Sequence, residues 1–310
     1  MQKLRQWHLR GLITLSLILI IGGVIIAAVT TIPNSALISS TGYYTDQIGG
    51  GIGSAALMTG GGNGVTIGAA PNDDGFDGPL NLGFTLNFFG TNYTQYWANN
   101  NGNISFGNGI SSFTPTGPQG APQPIISPFF GDVDTRGAGS GLMYVRTDIA
   151  NEIIVTWDSV GYFSENTDKL NSFQLVLRGP GFTVPSGEGQ IGFWYKGMSW
   201  EAGDASGGTD GLCPTGTVGT SCFPAAVGFG DGNSNGSILQ ASLQSGVAGV
   251  VANHHIWFSL VNGAPVLTGP TPTPTPAPSA TPAPSSIILL TLGLIALGLY
   301  QWAKVRSARS

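Results

Sequence analysis

The sequence predicts an all-β fold: one β-sandwich or open-barrel domain with long Gly-rich loops, flanked by an N-terminal and a C-terminal hydrophobic helix. Three observations predict it. Only 9% of the 310 residues are charged, whereas 49 are Gly and 20 are Pro; such a chain makes few long solvated helices, because Gly costs about 1 kcal/mol relative to Ala in a helix interior. Short runs of alternating apolar and polar residues recur along the middle, and the joins between them carry Gly, Asn, Asp or Pro. At the two ends stand apolar stretches long enough to be helices of their own.

The N-terminal segment, residues 1–36, begins with Lys3, Arg5 and Arg10 and continues into an apolar run. That order is the pattern of a secretory signal peptide, and its length of about 18 residues also suits an uncleaved signal anchor. Residues 37–267 form the expected β domain, and its first thirty or so residues read as an irregular Gly/Ser/Thr lead-in. A turn carrying Asp73, Asp74 and Asp77 follows. After it Leu80, Leu82, Phe84, Leu86 and Phe88 alternate with polar residues or Gly, the mark of a strand with one buried face. Asn99, Asn100, Asn101 and Gly102 suit a tight reversal, since Asn and Gly tolerate positive φ, and Ile104 and Phe106 then enter a core. The run Phe129-Phe130-Gly131-Asp132-Val133-Asp134-Thr135-Arg136 passes from buried aromatics to a charged rim. Further strands are expected at 141–147, 152–163, 172–178, 190–196, 225–230, 237–243 and 254–261, in number and spacing those of a sandwich or open barrel. Residues 268–285 alternate Pro with Thr or Ala and read as an extended stalk, long enough to hold a domain roughly 50 Å from a tether. Residues 286–303 are apolar, a transmembrane or sorting-signal helix, and 304–310 are a basic tail; basic flanks on the outer sides of both apolar runs place the middle on the far side of a membrane.

All sixteen acidic residues fall between Asp46 and Asp231, with only five of the eleven basic ones, so the middle carries a net charge of −11. Nucleic acid is excluded as a partner on that ground, because binding it rests on phosphate neutralisation by Lys and Arg. Cations, or neutral and basic surfaces, fit.

Asn99 to Phe106, the Pro128 to Arg136 run and the stretch from Trp157 through Lys169 to Phe173 together resemble the nidogen-type extracellular (NIDO) domain of bacterial type. The resemblance covers roughly residues 42–266. It implies cell-matrix or cell-surface adhesion without catalysis, with an extracellular matrix protein, surface protein or glycan as partner. The C-terminal segment resembles a PEP-CTERM sorting signal, although Thr281-Pro282-Ala283-Pro284 lacks the Glu of that motif. The chain is thereby expected to be bacterial, exported and membrane-anchored at the cell surface, and not an enzyme. The alternatives are an extracellular carbohydrate-active or hydrolytic enzyme using an acid pair such as Asp132 and Asp134, whose spacing puts both on one strand face, and a structural biofilm component.

No catalytic motif is present: there is no Gly-x-Ser-x-Gly elbow, no His-Glu-x-x-His and no phosphate loop. His254 and His255, adjacent on a strand, point to opposite faces and cannot share a metal. Cys213 and Cys222, the only cysteines, are expected to form a disulfide, since an exported chain with an even cysteine count usually bridges them. Asp73, Asp74, Asp132, Asp134 and Asp231 are candidate calcium ligands, because they lie in Gly/Asn-rich turns where backbone carbonyls are also free to ligate; the bland alternative is that they cap turns. Ion pairs are expected between Asp132 and Arg136 and between Asp158 and Lys169. The aromatics, Tyr96, Tyr162, Trp194, Tyr195 and Trp200 among them, are core filler or, if exposed in a row, a binding platform.

Overall fold

The computed structural model describes residues 29–60 and 66–268. Among them the chain forms β1 (Val29–Ile32), β2 (Ile38–Ser39), β3 (Ser54–Ala55), β4 (Phe76–Phe88), β5 (Thr91–Asn99), β6 (Asn103–Ser105), β7 (Pro124–Phe130) and β8 (Val133–Asp134) in its first half. The second half supplies β9 (Met143–Arg146), β10 (Glu152–Tyr162), β11 (Asn166–Arg178), β12 (Ile191–Met198), β13 (Ala226–Asp231), β14 (Gly236–Leu239), β15 (His254–Val261) and β16 (Ala264–Leu267). Two short helices, α1 (Tyr44–Ile48) and α2 (Val247–Val251), complete the described elements apart from short 3-10 turns.

The strands make two sheets. One runs β1-β14-β13-β7-β6-β5-β4, and the other β16-β15-β12-β11-β10-β9-β3, with β2 on β15 and β8 on β10. Pairing is antiparallel except for β1 on β14. The sheets enclose one large apolar interior. Leu82, Leu86 and Phe88 of β4, Ile126 and Phe129 of β7 and Phe229 of β13 meet Trp157, Phe173, Leu175 and Phe193 of the facing sheet. Period-two alternation is the cause on β4, where Asn81, Gly83, Thr85 and Asn87 are exposed between buried or half-buried apolar residues. On β12, Ile191, Phe193 and Tyr195 enter this core, as their spacing predicts, while Trp194 turns to the other face.

That other face is also covered. The expected irregular lead-in is α1 with its flanks, whose first turn is fixed by the Asp46 carboxylate accepting the Tyr43 N–H at 2.8 Å. Tyr44 joins Ile154, Val176, Trp194 and Trp257 in a second apolar cluster. Within it Arg178 is fully buried, paired with Glu152 at 2.7 Å and Glu188 at 2.6 Å and stacked on Trp257, 4.4 Å from the ring centroid. The first half of β10 and the second half of β11 are therefore buried on both faces, and Ile153 to Val155 and Leu175 to Leu177 read as continuous apolar runs rather than alternating ones.

The fold is thus mostly β and built of two sheets, and the expectation of flanking hydrophobic helices is corrected: the described helices are five residues each, and Val29–Ile32, placed in the N-terminal segment from sequence, is an edge strand. Among the described residues no helix is long and apolar enough to cross a membrane. The membrane partnership and membrane anchoring expected from the ends are corrected with it. Residues 1–28, most of the 268–285 stalk, the 286–303 helix and the 304–310 tail lie outside the described residues.

Candidate metal centre

Three segments meet at one end of the core. The first is the turn at residues 71–75, where Asn72 Oδ1 accepts the Gly75 N–H at 2.6 Å and Asp74 takes a left-handed φ of 60°. The second is the Asn-Gly reversal between β5 and β6. Gly102 is required there, since its φ is 74° and a Cβ would lie 1.8 Å from the Phe129 carbonyl oxygen. The third is the link from β7 to β8 that carries Asp132. Asp73 and Asp134 bridge as an antiparallel pair, the Asn101 side chain accepts the Val133 N–H at 2.9 Å, and its amide donates to Asp74 Oδ1 at 2.8 Å. The loop at Gly203 closes over Asp132, so near that a Cβ on Gly203 would lie 2.5 Å from Asp132 Oδ2.

The result is a pocket of acid. Asp73, Asp74 and Asp132 are all buried, and one oxygen of each lies within 4.8 Å of the others. That is the spread of ligands around a single cation with oxygen distances of about 2.4 Å. Both carboxylate oxygens of Asp132 and Oδ1 of Asp73 accept no hydrogen bond. Burial, reinforced by Asp74, Asp73 and Asp134, pushes the Asp132 carboxyl up to about 8. Burial and the charges of Asp74 and Asp134 push Asp73 up to about 7 against the opposing pull of Arg136. Asp74 is raised by burial, with the Asn101 hydrogen bond working the other way. Three carboxylates so placed are strained when ionised together, and a divalent cation is the natural relief.

The remaining expected residues separate by role. Asp134 is fully buried but committed: its Oδ1 accepts Arg136 Nε at 2.9 Å and its Oδ2 accepts Arg136 Nη2 at 2.7 Å and the Glu165 N–H at 3.0 Å. Arg136 Nη2 also reaches Asp73 at 2.9 Å, so Arg136 pairs with Asp134 and Asp73 where the sequence suggested Asp132. Lys169 pairs with Asp168 and not Asp158, whose carboxylate accepts the Tyr43 hydroxyl. Asp231 lies apart, at the C-terminal end of β13, accepting the Asn233 and Asn235 N–H groups of its own turn. Asp77 accepts the Leu57 N–H. Cys213 and Cys222 are disulfide-bonded, with Cα atoms 5.6 Å apart. His255 stacks on Trp194, with ring centroids 4.1 Å apart, and His254 Nδ1 lies 2.8 Å from the Ala252 carbonyl oxygen, so the pair shares no site. Tyr96, Tyr162, Trp194, Tyr195 and Trp200 are buried, which makes them packing residues.

From sequence, Asn100 is only part of the reversal and of the family motif; in the structure its main-chain oxygen accepts Trp157 Nε1 at 2.9 Å and its Nδ2 donates to the Val133 and Asn72 carbonyls. The expectation of no enzymatic role is corrected too: a buried three-Asp cluster capable of holding a metal ion is consistent with catalysis as well as binding.

The comparisons with known proteins agree on the domain. The family described as NIDO related matches residues 55–248. Alpha-tectorin of Gallus gallus is 31% identical over 188 residues, covering 52% of this chain and 8% of that protein. Alpha-tectorin of Homo sapiens is 31% identical over 189 residues with the same coverage. Nidogen of Drosophila melanogaster is 25% identical over 213 residues, 55% of this chain and 14% of that protein. The chain thus spans a small part of the curated relatives it matches. These relatives are animal proteins, which corrects the bacterial type and bacterial location expected from the motifs, and nothing found supports the PEP-CTERM-like segment, which lies outside the described residues. No solved structure matches.

Proposed function

Because the chain belongs to the NIDO-related family, we propose that this distant, nidogen-related extracellular β domain binds a divalent cation, calcium by its donor set, through Asp73, Asp74 and Asp132. The single observation that carries the reading is the trio of buried carboxylates with oxygens within 4.8 Å, one of which, Asp132, has no hydrogen-bond partner on either oxygen. Calcium takes six to eight oxygen ligands at about 2.3 to 2.6 Å. The chain's own residues would then tie together the 71–75 turn, the β5–β6 reversal and the β7–β8 link, which are far apart in sequence and meet at one end of the core. Adhesion to a matrix protein, surface protein or glycan would use the loops that this junction fixes, with residues 268–285 as an extended spacer.

The second reading is an extracellular carbohydrate-active or hydrolytic enzyme. It is favoured by Asp132, whose raised affinity for a proton lets it carry one near neutral pH beside other acids, as a general acid requires.

Thermal melting of the full chain in calcium and in EGTA tests the main reading. A cation at 100 times its Kd stabilises by about 2.7 kcal/mol, so the melting temperature should rise with calcium; identical curves would remove the reading. Turnover of a glycoside and ester panel, lost on Asp132→Asn, would favour the second.

A further inference from the structure

Resting on that reading, we infer that Asn100 Oδ1 is the neutral fourth ligand of the centre, and that the site selects calcium over magnesium. Asn100 is fully buried, and every polar atom it has is spoken for but one. Its N–H donates to the Gly75 carbonyl at 2.8 Å, its own carbonyl accepts Trp157 Nε1, and Nδ2 donates to the carbonyls of Asn72 and Val133. Oδ1 is buried and accepts nothing.

The partners of Nδ2 set the carboxamide beside the centre. The two carbonyls it holds belong to the residue before Asp73 and the residue after Asp132, so the carboxamide is wedged between the two chains that bring those carboxylates in. A buried amide oxygen without a donor costs free energy unless something else satisfies it. A cation held by the three neighbouring carboxylates would do so; a hard divalent ion takes amide and carboxylate oxygens alike.

Selectivity follows from the burial. Asp73, Asp132 and Asn100 are each at most 1% exposed, which leaves little room for the several waters that magnesium retains, whereas calcium accepts irregular, mostly protein-derived shells.

The test uses terbium as a calcium substitute on the full chain stripped with EGTA. The Trp157 indole, hydrogen-bonded to Asn100, serves as the sensitiser. Luminescence lifetimes in H2O and D2O count the bound waters. Asn100→Ala should weaken binding at least about tenfold and admit about one more water, while Asn100→Asp, which keeps an oxygen, should leave the water count unchanged. Calcium should displace terbium at concentrations where magnesium does not. In case the variants fold poorly, the Asn100 side-chain 15N signal of the wild type gives an independent readout and should move more on adding calcium than that of Asn235, which lies in the separate Asp231 turn. Terbium binding with unaltered affinity and water count in Asn100→Ala, or a stationary Asn100 signal in calcium-bound wild type, overturns the inference and leaves the three-carboxylate centre standing. No binding of terbium or calcium to the wild type overturns both.

Discussion

Trp157 of β10 donates its indole N–H to the main-chain oxygen of Asn100 at 2.9 Å, a hydrogen bond that crosses from one sheet to the reversal of the other. Both ends are fully buried. Trp157 also stacks on Phe173 at 4.9 Å, so the indole is held from one side by packing and from the other by the turn that lines the acid cluster.

Trp157→Phe keeps most of the packing and removes the donor. The Asn100 carbonyl keeps the Gly102 N–H at 2.8 Å but loses its second donor, at a cost of about 1 kcal/mol. Urea denaturation should show a lowered midpoint with an unchanged slope.

Arg136 should matter through charge. Its guanidinium grips Asp134 through two nitrogens and touches Asp73. Arg136→Gln leaves those carboxylates uncompensated, and because Arg136 is 24% exposed the expected loss is roughly 2 to 4 kcal/mol, below that of a fully buried pair. Arg136→Lys should restore little, since a single ammonium cannot reproduce the fork. Chemical denaturation of the three proteins reads this directly.

The Cys213–Cys222 bridge closes a small loop and buries its sulfurs beside Ala202. Replacing both cysteines by Ser should cost about 2.5 to 3 kcal/mol by the chain-entropy account. Comparing melting temperatures of the oxidised wild type and the double variant checks it.

His255 sets an acid limit. Burial against Trp194, and then the neighbouring His254, hold its imidazole below the usual range. The unfolded chain therefore binds this proton more readily than the folded one, and stability falls as pH drops through the ordinary histidine range of about 6.5 toward the lower folded value. His255→Gln should flatten that slope in melting temperatures taken between pH 7.5 and 5.

Much of the fold was legible in the residues. The alternation from Leu80 to Phe88 placed β4, the period on β12 sorted Phe193 from Trp194, and 254–261 matches β15. What escaped is what alternation does not encode. Residues 38–60 lack a period because they are short pieces that change sides, Tyr44 covering the outer face of a sheet while Ala56 and Met58 enter the main core; the capping carboxylate of Asp46 was the available signal. Strand β16 is four residues at an edge, too short for a period to emerge. At the site, carboxylates in Gly/Asn turns pointed to Asp73, Asp74 and Asp132, but not to which of five acids converge. Asp134 and Asp132 are two residues apart and meet different fates, one taken by Arg136 and the other left bare. Arg136 is local to Asp134, but the loop at Gly203 that closes over Asp132 is distant in sequence, as are the Asn72 and Val133 carbonyls that fix the Asn100 side chain, so the part Asn100 plays beyond its turn was not legible.

Calorimetric titration of calcium into the EGTA-stripped full chain, wild type beside Asp132→Asn, tests the central claim most directly. One saturable site in the wild type, abolished or greatly weakened in the variant, is the predicted result. An absence of binding in the wild type, or equal affinity in both proteins, contradicts it.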